Sequence, residues 1–267
     1  MGDPSEYFTA NRQAWNERTK LHVGSAFYDV DGFIAGHDPL NAIELELLGD
    51  VAGLDVLHLQ CHFGQDTLAL ARRGARVTGL DIADEAITEA RKLTDRCGLQ
   101  ADWVVANVVD HQPFLDGRSD LVFTSYGTIG WIPELSAWAN NIFRYLRPGG
   151  RFVIVEFHPV VWMFDNEFSR VAYPYFNRQL IVEEEQGSYA DRDAGVKLTS
   201  YSWNHDLAEV HTALHAAGLR VDRFVERDGS PHNCFRNTIQ GADGLYRIQG
   251  LEGRIPMVYG MVASKPR

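Results

Sequence analysis

The segment Asp55-Val-Leu-His-Leu-Gln-Cys-His-Phe-Gly-Gln-Asp-Thr67, followed by Gly79-Leu-Asp-Ile82, constrains the fold more than any other part of the chain. It reads as a buried strand, a tight turn at Gly64, a helix, and a second buried strand ending on an acid. That order is the front half of a nucleotide-binding α/β unit. Backbone comes close to a ligand at the glycine, and the Asp81 carboxylate can accept both hydroxyls of a ribose. A ribose-bearing cofactor is therefore expected before any substrate is considered.

The same turn narrows the choice of cofactor. A dinucleotide fingerprint needs three glycines so that a pyrophosphate can rest on the helix N-terminus. Here Gln60, His62 and Phe63 crowd a single Gly64, and a cofactor without phosphate fits better. S-adenosylmethionine offers a ribose, an adenine and an amino-acid tail, and asks only for close backbone approach and a few polar contacts. Two rival readings stand beside it. One is a nicotinamide-dependent oxidoreductase with the same pattern; the other is a module that binds the cofactor without catalysis.

Short apolar runs predict strands at about 55–60, 75–81, 101–106, 120–125 and 151–157. Helical patterns alternate with them at Asp66–Arg73, Asp84–Cys97 and Pro133–Arg147, which implies a parallel, doubly wound sheet. Asp84 is the expected N-cap of the second of these helices, and Gly74 and Gly98 are natural stops. Residues 1–50 are expected to form an N-terminal helical lid, with one helix over 5–22 and another over 40–48, ahead of a domain spanning 51–267. The rhythm breaks at about 160–203, where an aromatic loop and a β-hairpin are expected as an insertion. A helix from Asp206 to Ala217 and strands over 219–226 and 257–263 close the chain.

A formal net charge of −11 argues against nucleic acid, whose phosphates would require a basic face. No apolar run reaches the ~18 residues of a membrane span. The opening Met1-Gly-Asp-Pro-Ser-Glu6 is acidic and unlike a secretion signal. Cys61, Cys97 and Cys234 cannot all pair and show no metal spacing. A cytoplasmic enzyme with reduced thiols, no metal and a monomeric or homodimeric state is expected.

Residues 55–159 resemble a class I S-adenosylmethionine-dependent methyltransferase. Val56-Leu-His-Leu-Gln-Cys-His-Phe-Gly64 stands where that family has Leu-Asp-Leu-Gly-Cys-Gly-x-Gly. Asp81 matches the acidic end of its second strand, and Leu146-Arg-Pro-Gly-Gly-Arg-Phe-Val-Ile-Val155 matches the turn into its fifth. Gln60 and His62 replace usual glycines, and His58 a frequent acid. The chain is also similar to a bacterial branch carrying this His-Leu-Gln-Cys-His-Phe-Gly-Gln-Asp variant. The resemblance implies a seven-stranded, mostly parallel sheet with an antiparallel last strand. It also implies methyl transfer by in-line displacement to oxygen or nitrogen of a small, partly apolar acceptor.

Cofactor contacts are expected from Gln60, Cys61, His62, Gly64 and Gln65 around the turn, and from Asp81 and Ile82 at the second strand. Cys61 is equally a small buried apolar residue, and His62 reads as a tail contact or as packing under the N-terminal segment. Gln65 opens a helix, so its side chain and amide can reach the cofactor carboxylate. By resemblance, Asn107 and Val108 hold the adenine and Ser125 follows the fourth strand; Asn107 is equally a turn residue.

The segment Ser125-Tyr-Gly-Thr-Ile-Gly-Trp131 faces the reactive methyl in the family, which makes Tyr126 and Trp131 candidates for positioning. Trp15 and Tyr28 close over the cofactor or merely dock a helix. His158 and His205 are placed to act as general bases, since an unperturbed histidine titrates near neutrality. The alternative is that His205 and Asn204 cap a helix while His158 bonds backbone. Glu156 is a buried polar contact or a substrate ligand. Trp162 and Tyr175, among Phe157, Phe164, Phe168, Tyr173 and Phe176, suggest an acceptor with a flat ring or an ammonium group. Such rings can also form a packed cover.

Overall fold

The computed structural model describes residues 4–176 and 179–267. Residues 1–3 of the expected lid and 177–178 of the expected insertion lie outside these. Three helices, α1 (Pro4–His22), α2 (Val30–Ile34) and α3 (Ala42–Leu48), lead into an alternating series. It runs β1 (Asp55–Leu59), α4 (Gln65–Arg72), β2 (Arg76–Asp81), α5 (Asp84–Cys97), β3 (Asp102–Val105), β4 (Ser119–Ser125), α6 (Ser136–Tyr145) and β5 (Leu146–Phe157). A separate hairpin of β6 (Ile181–Gln186) and β7 (Lys197–Ser202) follows. Then come α7 (Leu207–Ala216), β8 (Arg220–Arg227), the short pair β9 (Thr238–Gln240) and β10 (Tyr246–Ile248), and β11 (Val258–Ser264).

Seven strands form one sheet in the order β3-β2-β1-β4-β5-β11-β8. β11 runs antiparallel to both neighbours, and the remaining pairs are parallel. This is the mostly parallel, doubly wound sheet expected from the sequence. Successive residues of the central strands feed opposite faces. Val56, Phe123 and Val153 join the core under α3 and α4, whereas Leu57, Val122 and Ile154 join the core under α6 and α7. Burial on both faces is why these strands read as continuous apolar runs. Strand order reverses between β1 and β4, and the crevice at their carboxyl ends is where such sheets bind ligands.

His58 is the buried polar residue of β1. Its ring stacks on Phe123 at 4.9 Å and its Nδ1 meets Thr67 Oγ1 at 2.8 Å. Burial lowers its pKa to about 3, so the ring is neutral.

Several local expectations are corrected. The N-cap of α5 is Ala83; Asp84 instead binds Arg12 and Asn16 of α1, each at 2.9 Å. Asp206, rather than Asn204 or His205, caps α7 by accepting from the Glu209 amide. The Arg-Pro-Gly-Gly turn belongs to β5 itself, which starts at Leu146 and shifts register opposite Ser119–Leu121. The β9–β10 pair was not legible, because each arm holds only three residues.

Candidate cofactor and acceptor site

A cavity of about 870 Å³ opens at the carboxyl ends of β1, β2, β4 and β5, a size typical of small-molecule sites. Its floor is the 60–66 turn, the ends of β2 and β3 and the 125–132 loop. Its cover comes from α1, residues 27–41, the β6–β7 hairpin and the 232–236 loop. Every cofactor-side residue expected from sequence lines it, as do Trp15, Tyr126, Trp131, Trp162 and His205. His158 and Tyr175 do not.

The turn is held by its backbone. Gln60 and His62 take left-handed φ values of 54° and 52°, and Gly64 has φ 79°. Gly64 is required for a second reason. A Cβ there would lie 2.1 Å from the Trp103 ring, which packs beneath the turn and donates from Nε1 to Thr94 Oγ1 at 3.0 Å. The Gln60 Nε2 donates to the Thr128 carbonyl at 2.7 Å, tying the β1 turn to the β4 loop. Cys61 is buried, its amide donates to Leu80 O at 3.1 Å, and burial pushes its thiol pKa up. That environment suits a small apolar residue.

Asp81 ends β2 with both carboxylate oxygens facing backbone. Oδ2 accepts the His62 amide and Oδ1 the Ala83 amide, each at 2.8 Å. The carboxylate also lines the cavity. Burial pushes the carboxyl up to about 6, against the pull of the amides of Ala83, His62 and Ile82. Ile82 and Val108 supply apolar wall next to it. Asn107 forms an Asx turn, its Oδ1 accepting the Val109 amide at 3.3 Å, and it lines the cavity.

The N-terminal segment is bolted to the turn. Gln65 Nε2 donates to the Tyr28 carbonyl at 2.7 Å, so part of its side chain serves the N-terminal segment. The Tyr28 hydroxyl meets that of Tyr189 at 2.5 Å. His62 turns its ring to His22 and packs edge-on to Trp15 at 5.2 Å. Arg18 lies over both Trp15 and Trp131, 5.3 Å from each ring, and donates to Glu185 of β6 at 3.0 Å. Asn11 bonds both backbone groups of Tyr201, at 2.8 and 2.9 Å, which joins α1 to the hairpin.

Glu156, in β5, organises the loop after β4. Its Oε1 accepts from Gly127 N at 2.5 Å and Phe157 N at 2.7 Å, and its Oε2 from Thr128 N at 2.7 Å and Thr128 Oγ1 at 3.0 Å. It is therefore a buried scaffold rather than a substrate ligand. Tyr126 adopts φ 40° in this loop, and its ring packs edge-on to His232 at 4.7 Å. Burial first, and the Glu44 carboxylate next, push its hydroxyl pKa up, which removes it as a base at neutral pH. Trp131 Nε1 donates to Gly127 O at 2.5 Å.

The two histidines expected as bases are engaged. His158 Nδ1 accepts the Val160 amide at 3.2 Å, so Nε2 donates to Glu226 on β8 at 2.9 Å, away from the cavity. His205 Nε2 donates to Ile132 O at 2.8 Å, and its Nδ1 lies 3.2 Å from Glu209 Oε2. His158 has no free nitrogen, and His205 Nδ1 is buried against the Glu209 carboxylate with no surface left for an acceptor. The Tyr175 hydroxyl accepts the Leu207 amide at 3.4 Å and serves the start of α7. Trp162 does face the cavity, edge-on to Phe157 and close to Phe235. Sequence reasoning missed Arg18, Asp66 and Tyr189 as wall residues, and His22 as the partner behind His62. Arg18 and His22 fall three and seven positions after Trp15 on one helix face, a signal that was available.

Residues 56–150 match a methyltransferase-domain family. An uncharacterized methyltransferase of Synechocystis is 33% identical over 133 residues, covering 49% of this chain and 60% of that one. A ubiquinone biosynthesis O-methyltransferase of Xanthomonas euvesicatoria is 30% identical over 135 residues, covering 49% and 56%. The chain thus spans little more than half the length of these curated relatives. The crystal structure of an S-adenosylmethionine-dependent methyltransferase from Listeria monocytogenes superposes with a TM-score of 0.59 at 18% identity, covering 83% of this chain and 95% of that one. The family match over residues 56–150 and the superposition agree, and the chain has the fold of an S-adenosylmethionine-dependent methyltransferase.

Proposed function

We propose that this protein binds S-adenosylmethionine in the β1–β2 half of the cavity and transfers its methyl group to oxygen or nitrogen of a small, partly apolar molecule. The observation that carries this is Asp81: a buried carboxylate at the end of β2, held by the His62 and Ala83 amides with Ile82 N beside them, and lining the cavity where a ribose diol can reach it. Ile82 and Val108 flank the place of an adenine, and Gln60, His62 and Gln65 surround the amino-acid tail. The bound sulfonium supplies the reactivity; the protein's part is alignment and exclusion of water. Residues 1–50 and the inserted hairpin act as the lid, with Trp15, Arg18 and Trp131 closing over the reacting centre.

The acceptor occupies the half of the cavity walled by Tyr126, Phe157, Trp162 and Phe235. Aromatic walls and an acidic chain favour a small molecule over nucleic acid. No helix among the described residues is long and apolar enough to cross a membrane. With three unpaired thiols, we place the protein in the cytoplasm, as a monomer or homodimer. A nicotinamide dinucleotide fits poorly, because the side chains of Gln60 and His62 fill the ground a pyrophosphate needs.

Calorimetry with S-adenosylhomocysteine tests the assignment. Wild type should bind it and Asp81→Ala should bind it at least tenfold more weakly, while NAD gives no heat. Incubation with radiolabelled S-adenosylmethionine and a low-mass cell extract should then label one compound. Cofactor binding with no labelled product across extracts would leave a binding module and refute methyl transfer.

A further inference from the structure

Methyl transfer to a hydroxyl or a protonated amine requires a group that takes the acceptor's proton. His158 and His205 have both ring nitrogens turned to protein partners. His232 packs edge-on against Tyr126, and burial holds its pKa down to about 4, which makes it a weak base. The Glu156 oxygens are occupied by amides. Glu44 is 1% exposed, with Oε1 taken by Asn41. Asp81 stands at the ribose end. One titratable side chain remains at the end of β4.

Asp66 lies in the first turn of α4, and its half-buried carboxylate lines the cavity. The Ser125 hydroxyl, on the last residue of β4, is its one partner among the described residues, donating to Oδ2 at the long distance of 3.5 Å. Oδ1 accepts nothing from them. The groups around it are Glu44 of α3, Asp38 ahead of that helix, Tyr28 of the N-terminal segment, Cys61 of the turn, and Ser125 and Tyr126 of the β4 loop. None of these is a cation. Burial first, and the Glu44 and Asp38 charges after it, push the Asp66 carboxyl up to about 7, the range in which a base both ionises and accepts protons effectively.

We propose that Asp66 is the catalytic base: its open oxygen takes the acceptor's proton as the oxygen or nitrogen attacks the sulfonium methyl. This rests on the cofactor assignment above. The C–S bond breaks as the C–O or C–N bond forms, and the sulfur keeps the electron pair. The acceptor's proton passes to the Asp66 carboxylate and is then released to water.

The test needs no identified acceptor. S-adenosylmethionine and S-adenosylhomocysteine differ by the methyl and by the sulfonium's positive charge. A half-protonated carboxyl beside that sulfonium is driven to ionise when it arrives. Calorimetry at pH 7 in two buffers of different ionisation enthalpy counts the protons released. Wild type should release more protons with S-adenosylmethionine than with S-adenosylhomocysteine. Asp66→Asn should abolish that difference while leaving S-adenosylhomocysteine affinity little changed. In parallel, Asp66→Asn should transfer radiolabel to the low-mass extract at least ~100-fold more slowly. Equal release with both ligands, a difference that survives in Asp66→Asn, or unimpaired label transfer overturns the proposal. Loss of affinity for both ligands also overturns it, by assigning Asp66 to the α-ammonium they share. No heat with either ligand in wild type sinks the cofactor assignment instead.

Discussion

His22 Nδ1 lies 2.9 Å from His62 Nε2, so α1 and the turn after β1 share one hydrogen bond between two rings. The direction of that bond follows from Ser188. Its Oγ accepts the amides of Ala190 and Asp191 at 3.2 and 3.3 Å, leaving its own hydrogen for His22 Nε2 at 3.1 Å. His22 Nδ1–H then donates to His62. Burial first, and the Arg18 charge after it, hold the His22 pKa down to about 3.

Replacing His22 by Leu should cost about 1–2 kcal/mol at pH 7.5, because His62 and Ser188 lose their partner. Acid changes the comparison. A histidine whose folded pKa is depressed contributes stability that is present above its unfolded value, near 6.5, and lost as pH falls towards about 3. At pH 5 wild type should lose about 2 kcal/mol through this group alone, and the variant should not. Urea unfolding at both pH values checks this. A gap between the two proteins that fails to narrow at pH 5 contradicts a neutral His22.

Gly64→Ala should destabilise by about 3 kcal/mol, combining a left-handed backbone with a collision against Trp103. A double-mutant cycle separates the two causes. In a Trp103→Leu background the same substitution should cost only the backbone part, about 1 kcal/mol. An unchanged cost in that background means that the ring is not what excludes the methyl group.

Most of the fold was legible because its signals are local. The β1 and β2 runs, Gly64 and the terminal Asp81 each follow from burial on both sheet faces and from one forced turn. The residues lining the β1–β2 half of the cavity were legible for the same reason, since they sit on that single supersecondary unit. The acceptor side is built from segments far apart in the chain, and only packing decides which way His158 turns. Nothing in the neighbourhood of His158 announces that its ring will reach Glu226 on β8, on the far side of β11. Asp66 was missed because its position in the first turn of a helix reads as a cap, whereas the cap is Gly64 and the carboxylate turns to the cavity.

Cofactor affinity should fall in acid through Asp81. Burial raises its carboxyl to about 6, and only the ionised form can accept both ribose hydroxyls while holding the His62 and Ala83 amides. The Kd of S-adenosylhomocysteine should be flat above pH 7 and weaken up to about tenfold per unit below the pKa of the free protein. Calorimetry from pH 5 to 8 gives the profile. Asp81→Asn should bind weakly at every pH, with that limb gone. A wild-type profile flat down to pH 5 means Asp81 does not hold the ribose.

Glu156 acts on the reaction through the loop it holds. A carboxylate is acceptor-only, and here two oxygens meet the donors of Gly127, Thr128 and Phe157, with Ile129 N at 3.4 Å as a further neighbour. Gln has the same shape but turns an NH₂ group towards one set of those amides. One or two buried donors then go unpaired, at about 1–3 kcal/mol each. The loop relieves this by moving, and with it Tyr126, Thr128 and the Gln60 tether on the Thr128 carbonyl. Asp81 and the β2 end are untouched. Glu156→Gln should therefore melt several degrees lower, bind S-adenosylhomocysteine within a few-fold of wild type, and transfer methyl groups about 100-fold more slowly, the loss expected from a displacement near 1 Å at the reacting centre. Glu156→Asp should not rescue transfer, because the shorter carboxylate cannot reach both Gly127 and Thr128. A variant that loses cofactor affinity while its turnover is preserved would place Glu156 under the cofactor rather than behind the β4 loop.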